Sequence, residues 1–548
     1  MPIPRFHPRL IDALRGYNRR IFTQDLLAGI TVGVIALPLS MAFAIASGMK
    51  PEQGLYTAIV AGFCISAFGG TRHTIGGPAG AFIVVLYGIV EQHGAANLLV
   101  CTAMAGVMMF TMGLLRLGTV IKFVPQPVIV GFTNGIAVLI LLSQVKDFLG
   151  LQMAKAPAEF FALLKVLAAS MPTWNPAALG LAAASLVIML TWPSRWSRRV
   201  PAPVVILLGA TAAAALTSLP VDTIGTRFSG IPQGLPAFGV PDFSADNLRR
   251  LMPAAITLAL LGALESLLCA VVADQMTHTR HDPNQELMGQ GVANLVTPFF
   301  GGFAATGTIA RTSANIRNGA QTPVSGIVHA ATLLAMMLAA APLAVTVPLA
   351  ALAAILVGVA INMGEWHAFI HLRARPVPAN AIMFVTFALT VALDITTAVQ
   401  VGMICTVLML IRRMTQVTSV HDEGAAHAKA KPGVRVLHIS GTLFFGTADK
   451  IDGIQLSTTD HVLVLNLTRV AYLDSTAAYS LEQLAGRMRG HGQHLVLAAA
   501  QRQPLRYMLQ SGLVATIGRQ NIKASLASAR KRAAEINSDA TPRCPPSV

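Results

Sequence analysis

Residues 76–90 read GGPAGAFIVVLYGIV, and residues 301–316 read GGFAATGTIARTSANI. In both stretches a glycine-rich run stands before a short apolar segment, which covers 79–90 in the first and 308–316 in the second. A helix that crosses a membrane needs about 20 apolar residues, so neither segment is long enough to cross alone. Two short, Gly/Pro-interrupted segments at corresponding places in two halves of a chain predict a transporter built from inverted repeats.

The composition indicates that the lipid bilayer is the solvent for most of the chain. The 548 residues include 40 Lys+Arg and 24 Asp+Glu, which is 12% charged residues. Soluble globular proteins have about 25%. The mean hydropathy of +0.62 points the same way. These values exclude a disordered chain, a fibrous protein and a wholly water-soluble multidomain enzyme.

Apolar runs of two lengths occur along the chain. Full-length candidates begin near Leu26, Leu98, Val128, Leu179, Pro203, Leu251, Ile327 and Ala381, and shorter ones cover 56–68, 79–90, 287–300, 308–316, 349–361 and 398–411. Together they predict a polytopic α-helical membrane protein with about fourteen spanning segments. We expect two inverted repeats of seven segments each, at about 25–219 and 251–411.

The basic residues predict the orientation, because short loops rich in Lys and Arg stay in the cytoplasm. If the N-terminal arm is cytoplasmic, the inside set is Arg5, Arg9, Arg15, Arg19, Arg20, Arg72, Arg116, Lys122, Arg195, Arg198, Arg199, Arg280, Arg317, Arg373, Arg375, Arg412 and Arg413. The smaller outside set is Lys50, Lys146, Lys155, Lys165, Arg227, Arg249 and Arg250. We therefore expect both termini in the cytoplasm and no cleaved signal peptide. The net charge of +16 is then explained largely by the Lys and Arg residues of cytoplasmic loops, and it does not indicate a nucleic-acid partner.

The two interrupted segments also predict an anion site. The first turn of a helix has free N–H groups and the positive end of the helix dipole, so two such ends aimed at one point can hold an anion. The residues that we assign to this site from the pattern are Gly77, Gly80, Thr306, Gly307, Thr308 and Arg311. The glycines would allow close approach to the backbone, the threonines offer hydroxyls, and the arginine adds positive charge. The alternative is that these glycines only pack helices.

A carboxyl group inside an apolar run is the second feature of functional interest. Glu265 lies in LLGALESLLCAVVAD, and ionisable groups in mid-span usually face a cavity and carry out a function. We predict that Glu265 carries a proton; the alternative is a structural hydrogen bond. Asp274 and Glu286 are expected at the membrane interface, whereas Asp394 is ambiguous. The scattered cysteines Cys64, Cys101, Cys269, Cys405 and Cys544 indicate neither a metal site nor a disulfide framework.

Three stretches resemble the sulfate permease (SulP) family of anion transporters. They are DLLAGITVGVIALPLSMAFAIASGMKPEQGLY at 25–56, GGPAGA at 76–81, and the stretch 262–320 that begins GALESLLCAVVAD. The resemblance covers nearly the whole chain. The motifs ESLLCAVV, TPFFGG and IARTSANIR are most similar to the bacterial C4-dicarboxylate transporter branch.

The resemblance implies a mobile core and a gate that work as an elevator, in a homodimer in the bacterial inner membrane. It places the anion between the third and tenth segments, in contact with Ala79 and Gly80 and with Thr308 and Ile309, with Arg311 close behind. The similar sodium-coupled bicarbonate branch has Asp in place of Glu265 and Thr in place of Cys269, a difference that favours protons over sodium. Many relatives also have Thr where this chain has Ala79.

The C-terminal part changes to an alternating pattern of strands and helices. VRVLHIS (434–440), HVLVLNL (461–467) and HLVLAAA (494–500) are typical of buried strands, and helices are expected at about 447–456, 475–489 and 503–512. This predicts a small cytoplasmic α/β domain that resembles the STAS domain of SulP proteins. Asp474, Ser475 and Thr476 are suited to cap the second helix. By resemblance to anti-sigma-factor antagonists, Ser475 is a candidate regulatory phosphorylation site.

The predicted organisation is an arm (1–24), a transmembrane domain (25–414), a linker (415–433), a STAS domain (434–535) and a tail (536–548). We expect a secondary active transporter that imports a C4-dicarboxylate or sulfate with protons, without a cofactor. Within the same family, a sodium-coupled bicarbonate transporter and an anion exchanger or channel remain open. A membrane-anchored signalling protein with a regulatory partner at the STAS domain is the alternative of another class. No nucleophile, metal cluster or acid/base pair stands out, so we do not expect an enzyme.

Overall fold

The fold comes from a computed structural model of the full chain. The structure describes residues 6–119, 125–153, 156–157, 159–193, 200–228, 234, 238–372, 376–393, 395–423, 432–455 and 457–540. Residues named above that lie outside these ranges are Arg5, Lys122, Lys155, Arg195, Arg198, Arg199, Arg373, Arg375, Asp394 and Cys544. The chain forms two compact units, Met1–Met403 and Ile404–Val548.

The regular elements among the described residues of the first unit are helices and two very short strands. Its elements up to the middle are α1 (Arg9–Leu14), α2 (Arg19–Ala46), α3 (Pro51–Phe68), β1 (Gly76–Gly77), α4 (Ile83–His93), α5 (Ala95–Leu114), α6 (Gln126–Leu149), α7 (Phe160–Ser170), α8 (Pro176–Thr191), α9 (Ala202–Thr217) and α10 (Ile224–Phe228). The remainder are α11 (Ala245–Thr277), α12 (Pro283–Val296), β2 (Thr306–Gly307), α13 (Ile309–Arg317), α14 (Val324–Ala344), α15 (Leu349–Met363), α16 (His367–Ile370), α17 (Val377–Ala392) and α18 (Ile395–Val417). The boundary between the two units falls within α18.

Each predicted segment corresponds to a helix: α2–α6, α8 and α9 in the first half, and α11–α15, α17 and α18 in the second. Among the described residues, α2, α5, α6 and α11 are long and apolar enough to cross a membrane. The pair Phe160–Thr173 and Pro176–Thr191 also passes this test when taken together, although it is bent by 115°. Several boundaries differ from the prediction. The segment predicted at 56–68 begins at Pro51, because a proline and a polar first turn open the helix, and the one predicted at 398–411 extends over Ile395–Val417.

The helices of the first unit pack into two groups. In one group α12 packs on α3 and α5, α14 packs on α2 and α3, and α11 packs on α5 and α13. In the other group α6 packs on α15 and α17, and α8 packs on α6, α9 and α15. Each group combines helices from both halves of the chain, and both half-helices, α4 and α13, have their main contacts in the first group.

The second unit contains a five-stranded sheet of order β3-β4-β5-β6-β7. The elements are β3 (Ser419–Asp422), β4 (Val434–Leu443), α19 (Ala448–Asp452), β5 (Val462–Leu473), α20 (Ser475–Gly490), β6 (His494–Ala498), α21 (Arg502–Gln510), α22 (Leu513–Ile517), β7 (Ile522–Lys523) and α23 (Leu526–Ala540). Strand β3 is antiparallel to β4, and the other pairs are parallel.

Strand β5 shows why this sheet is covered on both faces. Its alternate residues Leu463 and Leu465 belong to the core beneath α20, whereas Val462 and Val464 pack with α23. The three predicted strands are therefore present. The helix predicted at 447–456 is shorter, since it ends at Asp452 before Gly453. Strand β3 was not predicted, because its sequence, SVHD, has no apolar alternation.

Candidate functional site

The two half-helices meet in a two-residue antiparallel ladder. Gly76 pairs with Gly307, and Gly77 pairs with Thr306. Glycine is required at 76, because a Cβ there would lie 2.2 Å from Cδ1 of Ile65. This pairing brings the two interrupted segments next to each other, an arrangement that the predicted anion site needs.

Further hydrogen bonds hold the two half-helices in register. The backbone N–H and the hydroxyl of Thr308 both donate to the carbonyl oxygen of Ile75, at 2.9 Å each. In return, the N–H of Ile75 donates to Oγ1 of Thr312, at 3.0 Å. The start of α13 is thereby fixed to the strand that precedes α4.

Both half-helices begin with unused backbone donors. Before α4, a single 3-10 turn covers Gly80–Phe82, and its first hydrogen bond runs from the N–H of Phe82 to the carbonyl of Ala79. In α13 the first such bond runs from Thr312 to Thr308. Six backbone N–H groups consequently have no hydrogen-bond partner among the described residues: Ala79, Gly80, Ala81, Ile309, Ala310 and Arg311. Two first turns with free donors are what an anion site of this kind requires.

The two first turns differ in their surroundings. Ile309 is 37% exposed, and Ala310 beside it is also exposed. Ala79 is only 5% exposed. A Cβ on Gly80 would lie 3.5 Å from Phe43 of α2 and 3.6 Å from Ile140 of α6, which belong to different helix groups. The first turn before α4 is therefore at the boundary between the two groups.

Arg311 provides a buried positive charge behind the ladder. The residue is 2% exposed. Its Nη2 donates a hydrogen bond to the carbonyl oxygen of Pro78, and its Nη1 lies against Gly77 without a hydrogen-bond partner in the described part of the chain. No carboxylate among the described residues forms a salt bridge with it. A buried charge without a counter-ion is unfavourable, so an anion at this site would stabilise it.

The threonine hydroxyls assigned to the site already have protein partners. Oγ1 of Thr306 and Oγ of Ser266 lie 2.7 Å apart in a hydrogen bond, and the Thr308 hydroxyl donates to Ile75. The unpaired donors of the site are thus mostly backbone N–H groups.

Glu265 lies at the edge of the face that α11 turns towards the half-helices. Its neighbour Ser266 is bonded to Thr306, and Sγ of Cys269, one turn further, donates to Oγ1 of Thr312 at 3.2 Å. Glu265 itself is partly exposed and forms no hydrogen bond or ion pair with any described residue. The structural alternative, a hydrogen-bonding glutamate, therefore has no partner in this structure. Glu286, expected at the membrane interface, lies in the first turn of α12, where it is buried and accepts hydrogen bonds from Gly70 N and Gln290 Nε2.

Sequence reasoning missed the residue that braces the loop before β2. The side chain of Asn294 donates to the carbonyl of Ala305 at 2.9 Å, and its Oδ1 accepts from the N–H of Ala305 at 2.8 Å. The available signal was that Asn294 is one of two amide side chains, with Gln290, in the mostly apolar run 287–300.

In the second unit, Ser475 is the first residue of α20 and is exposed. The prediction of a helix cap is confirmed for Asp474, whose Oδ1 accepts from the N–H of Ala477 at 2.9 Å. Within the described ranges, no group of three or more His, Cys, Asp or Glu side chains is placed to hold a metal ion.

Comparison with known proteins gives a profile match for each part of the chain. Residues 22–387 match the profile of the Sulfate permease family, and residues 425–529 match that of the STAS domain. The putative sulfate transporter YvdB of Bacillus subtilis is 43% identical over 524 residues, which cover 94% of this chain and 98% of YvdB.

Two solved structures are similar. The transmembrane domain of a cyanobacterial bicarbonate transporter, BicA, is 34% identical with a TM-score of 0.64, covering 71% of this chain and 98% of that one. The murine Solute Carrier 26 family member A9 anion transporter is 19% identical with a TM-score of 0.85, covering 96% of this chain and 94% of that one. At that identity the second similarity concerns the fold alone, and it extends over both units.

Proposed function

The chain belongs to the sulfate permease family, and on this premise we propose that it is a secondary active transporter that imports a small anion together with protons. It is a multi-pass membrane protein with a C-terminal STAS domain. The observation that carries the proposal is the pair of half-helix ends, each with three unpaired backbone N–H groups, joined by the ladder Gly76–Gly77 with Thr306–Gly307.

The anion is bound between the two first turns. The donors are the N–H groups of Ala79 and Gly80 on one side and of Ile309 on the other, and Gly77 and Gly307 keep the two turns close. Arg311 supplies a positive charge that has no carboxylate partner among the described residues. Dipole ends and backbone donors recognise charge more than shape, so this site suits both a carboxylate and a sulfate group.

The proposed substrate is a C4-dicarboxylate or sulfate. Sulfate is favoured by the similarity to the putative sulfate transporter YvdB. The dicarboxylate is favoured because the motifs ESLLCAVV, TPFFGG and IARTSANIR resemble those of the bacterial C4-dicarboxylate transporter branch. Sodium-coupled bicarbonate transport is the second candidate, because the transmembrane domain of BicA is 34% identical. Two residues argue against sodium coupling. The resemblance gives the sodium-coupled bicarbonate branch Asp and Thr at the positions of Glu265 and Cys269. In this chain Sγ of Cys269 donates a hydrogen bond to Oγ1 of Thr312.

Glu265 is the proposed proton carrier. Its carboxyl group lies on the helix that contacts both β2 and α13, and it has no competing partner among the described residues. Protonation at Glu265 removes a negative charge from the neighbourhood of the anion, so binding of the anion and of the proton assist each other.

We propose an elevator movement of one helix group against the other. The half-helices have their main contacts in the group of α2, α3, α5, α11, α12 and α14, whereas Ile140 opposite Gly80 belongs to the group of α6. Sliding of the first group past the second would carry the site across the membrane without dismantling the ladder. A homodimer, cytoplasmic termini and regulation at Ser475 by a partner protein complete the proposal.

Uptake by proteoliposomes tests this function. Labelled succinate, sulfate and bicarbonate are offered with and without an inward proton gradient, and separately with a sodium gradient. We expect proton-stimulated uptake of succinate or sulfate, and in Glu265→Gln a loss of that stimulation while exchange of the anion continues. Glu365→Gln, at an exposed glutamate outside the site, is the matched control.

The outcomes separate the alternatives. Uptake by the wild type that does not respond to protons contradicts proton coupling, and uptake driven only by sodium identifies the second candidate. Unitary currents in electrical recordings would indicate a channel. Retained transport after deletion of 434–548 locates the activity in the membrane unit, whereas no transport in any assay supports a membrane-anchored signalling protein.

A further inference from the structure

The N-terminal arm is held on the group of α2, α3, α5, α11, α12 and α14, at the end where α3 stops and α12 begins. The rings of Phe6 and Phe68 have their centroids 6.1 Å apart. The backbone N–H of His7 donates to Oε1 of Gln285 in α12 at 2.8 Å. The side chain of Gln285 in turn donates to the carbonyl oxygen of Phe68, the last residue of α3, at 2.7 Å. The arm is therefore attached to the group that carries the two half-helices.

The exposed side of the arm is both apolar and basic. In α1, Ile11 and Leu14 are 46% and 52% exposed, and their spacing of three residues places them on one face of the helix. Arg15, which follows α1, is exposed as well. Exposed apolar side chains next to arginines are typical of a segment that lies in the boundary region of a membrane.

The first turn of α2 continues this surface. Arg19, Arg20 and Phe22 are exposed there. Arg20 and Leu27 lie on one face of α2, two turns apart, and Leu27 is 60% exposed. Because α2 is long and apolar enough to cross a membrane, we place Leu27 among the lipid tails. Arg20, about 10 Å nearer the start of the helix, is then at the level of the headgroups.

The carboxylates of this segment are already engaged. Asp12 contacts Nε2 of His7 at 3.0 Å and Nη1 of Arg9 at 3.2 Å. Asp25 is buried and accepts a hydrogen bond from the N–H of Gln321 at 2.7 Å. None of the three exposed arginines forms an ion pair with a described residue. The surface is thus positively charged without a compensating carboxylate, and it fits an anionic partner that also has an apolar part.

We propose that this surface binds anionic phospholipid in the leaflet next to it. We call its residues the arm surface: Ile11, Leu14, Arg15, Arg19, Arg20 and Phe22. The guanidinium groups donate hydrogen bonds to phosphate oxygens, and the apolar side chains enter the boundary between headgroups and acyl chains. A phospholipid supplies both kinds of contact in one molecule. The proposal depends on the membrane position of the chain and is independent of Glu265 and of the anion that is transported.

The arm surface bears on transport because the arm is attached to the half-helix group. In the proposed elevator movement, that group carries the arm surface towards the headgroups or away from them. Anionic lipid stabilises the position in which the two are in contact, since a ligand shifts a population towards the state that it binds better. The rate of anion uptake should then depend on the charge of the lipid. This consequence, unlike the binding itself, rests on the proposed movement.

Photo-crosslinking identifies what covers the arm surface. The photoreactive amino acid benzoylphenylalanine is introduced in place of Leu14 in the full-length protein, which is reconstituted in an equimolar mixture of phosphatidylglycerol and phosphatidylcholine. Mass spectrometry then identifies the adducts formed on illumination. We expect lipid adducts, with several-fold more phosphatidylglycerol than phosphatidylcholine. The combined variant Arg15→Gln, Arg19→Gln and Arg20→Gln should lose most of that preference.

The matched control removes the same charge from exposed positions of the second unit, by Arg502→Gln, Arg506→Gln and Arg519→Gln. It should keep the preference of the wild type. Equal yields of the two lipids in the wild type, adducts to a peptide of this chain or of another protein, or an equal loss in the control would each overturn the proposal. If the variant at Leu14 does not fold, as judged by gel filtration, the same label at Ile11 decides, because Ile11 is exposed on the same face.

Uptake of the transported anion is also compared between vesicles of phosphatidylcholine alone and of the mixture. We expect uptake by the wild type to change with lipid charge, and uptake by the combined arginine variant to change much less. Preferred phosphatidylglycerol adducts with uptake that ignores lipid charge would contradict the proposed movement. No uptake in either lipid would contradict the proposed function, and the adducts would still decide whether the arm surface binds lipid.

Discussion

The guanidinium of Arg311, in the second half of the chain, donates a hydrogen bond to the carbonyl oxygen of Pro78 in the first half. Together with the ladder, this contact makes the two half-helices a single structural unit. A residue that disturbs the position of the guanidinium should therefore disturb both half-sites at once.

Gly77→Ala tests this coupling. Gly77 has φ +148°, a conformation that residues with a side chain adopt at a cost, and the new methyl would displace Nη1 of Arg311. We expect anion uptake in proteoliposomes to fall at least about tenfold, corresponding to roughly 1.4 kcal/mol or more. The matched control is Gly88→Ala in α4, where a Cβ would meet nothing within 4 Å. Equal uptake by the two variants would contradict the tight fit at Gly77.

The loop before β2 should depend on Asn294. Asn294→Leu removes both hydrogen bonds to Ala305 and leaves its N–H and carbonyl buried without a partner, which costs about 1–3 kcal/mol per group. We expect lower thermal stability and a loss of most transport. Asn318→Leu is the control, since the side chain of Asn318 makes a local bond to Ala314 at the end of α13 and no other among the described residues. Normal transport by Asn294→Leu would show that the loop does not need this brace.

The sequence was sufficient to predict the two broken helices and their meeting point, because glycine runs before short apolar segments leave few other structures possible. It could not predict which donors remain free. That depends on tertiary contacts: Thr308 uses its hydroxyl on Ile75, and Thr306 shares its own with Ser266. The burial of Glu286 was missed for the same reason, since its partner Gly70 N is distant in sequence.

The cap of α20 distinguishes a structural residue, Asp474, from Ser475, the proposed regulatory residue. Asp474 accepts from the N–H of Ala477 and, through Oδ2, from the N–H of Phe445 at 2.9 Å. Asp474→Ala should lower the free energy of unfolding of the second unit by about 1–2 kcal/mol. Ser475→Ala should change it by less than about 0.5 kcal/mol, because Ser475 is exposed. Urea unfolding followed by far-UV circular dichroism measures the free energy of unfolding of both variants. A larger loss of stability in Ser475→Ala than in Asp474→Ala would contradict the assignment of the cap.

Acid should weaken the second unit through Glu423, which follows β3. Arg530 donates a hydrogen bond to this carboxylate and, with His438 Nε2 at 3.1 Å, holds the pKa of Glu423 below its usual value of 4.5. A lowered pKa in the folded state means that the stabilisation is fully present above about pH 4.5 and is lost as the pH falls through the lower, folded-state value. Since the pair is partly exposed, we expect its contribution to be below about 1 kcal/mol.

The measurement is the free energy of unfolding of the second unit at several pH values between neutrality and acid. Glu423→Gln should be less stable than the wild type above pH 4.5 and should converge with it in acid, because the wild type has then lost the same interaction. Glu535→Gln is the control, as Glu535 is paired with Arg532 in an exposed i,i+3 contact and should leave the pH dependence nearly unchanged. A constant difference between Glu423→Gln and the wild type at all pH values would contradict the role of the charged carboxylate.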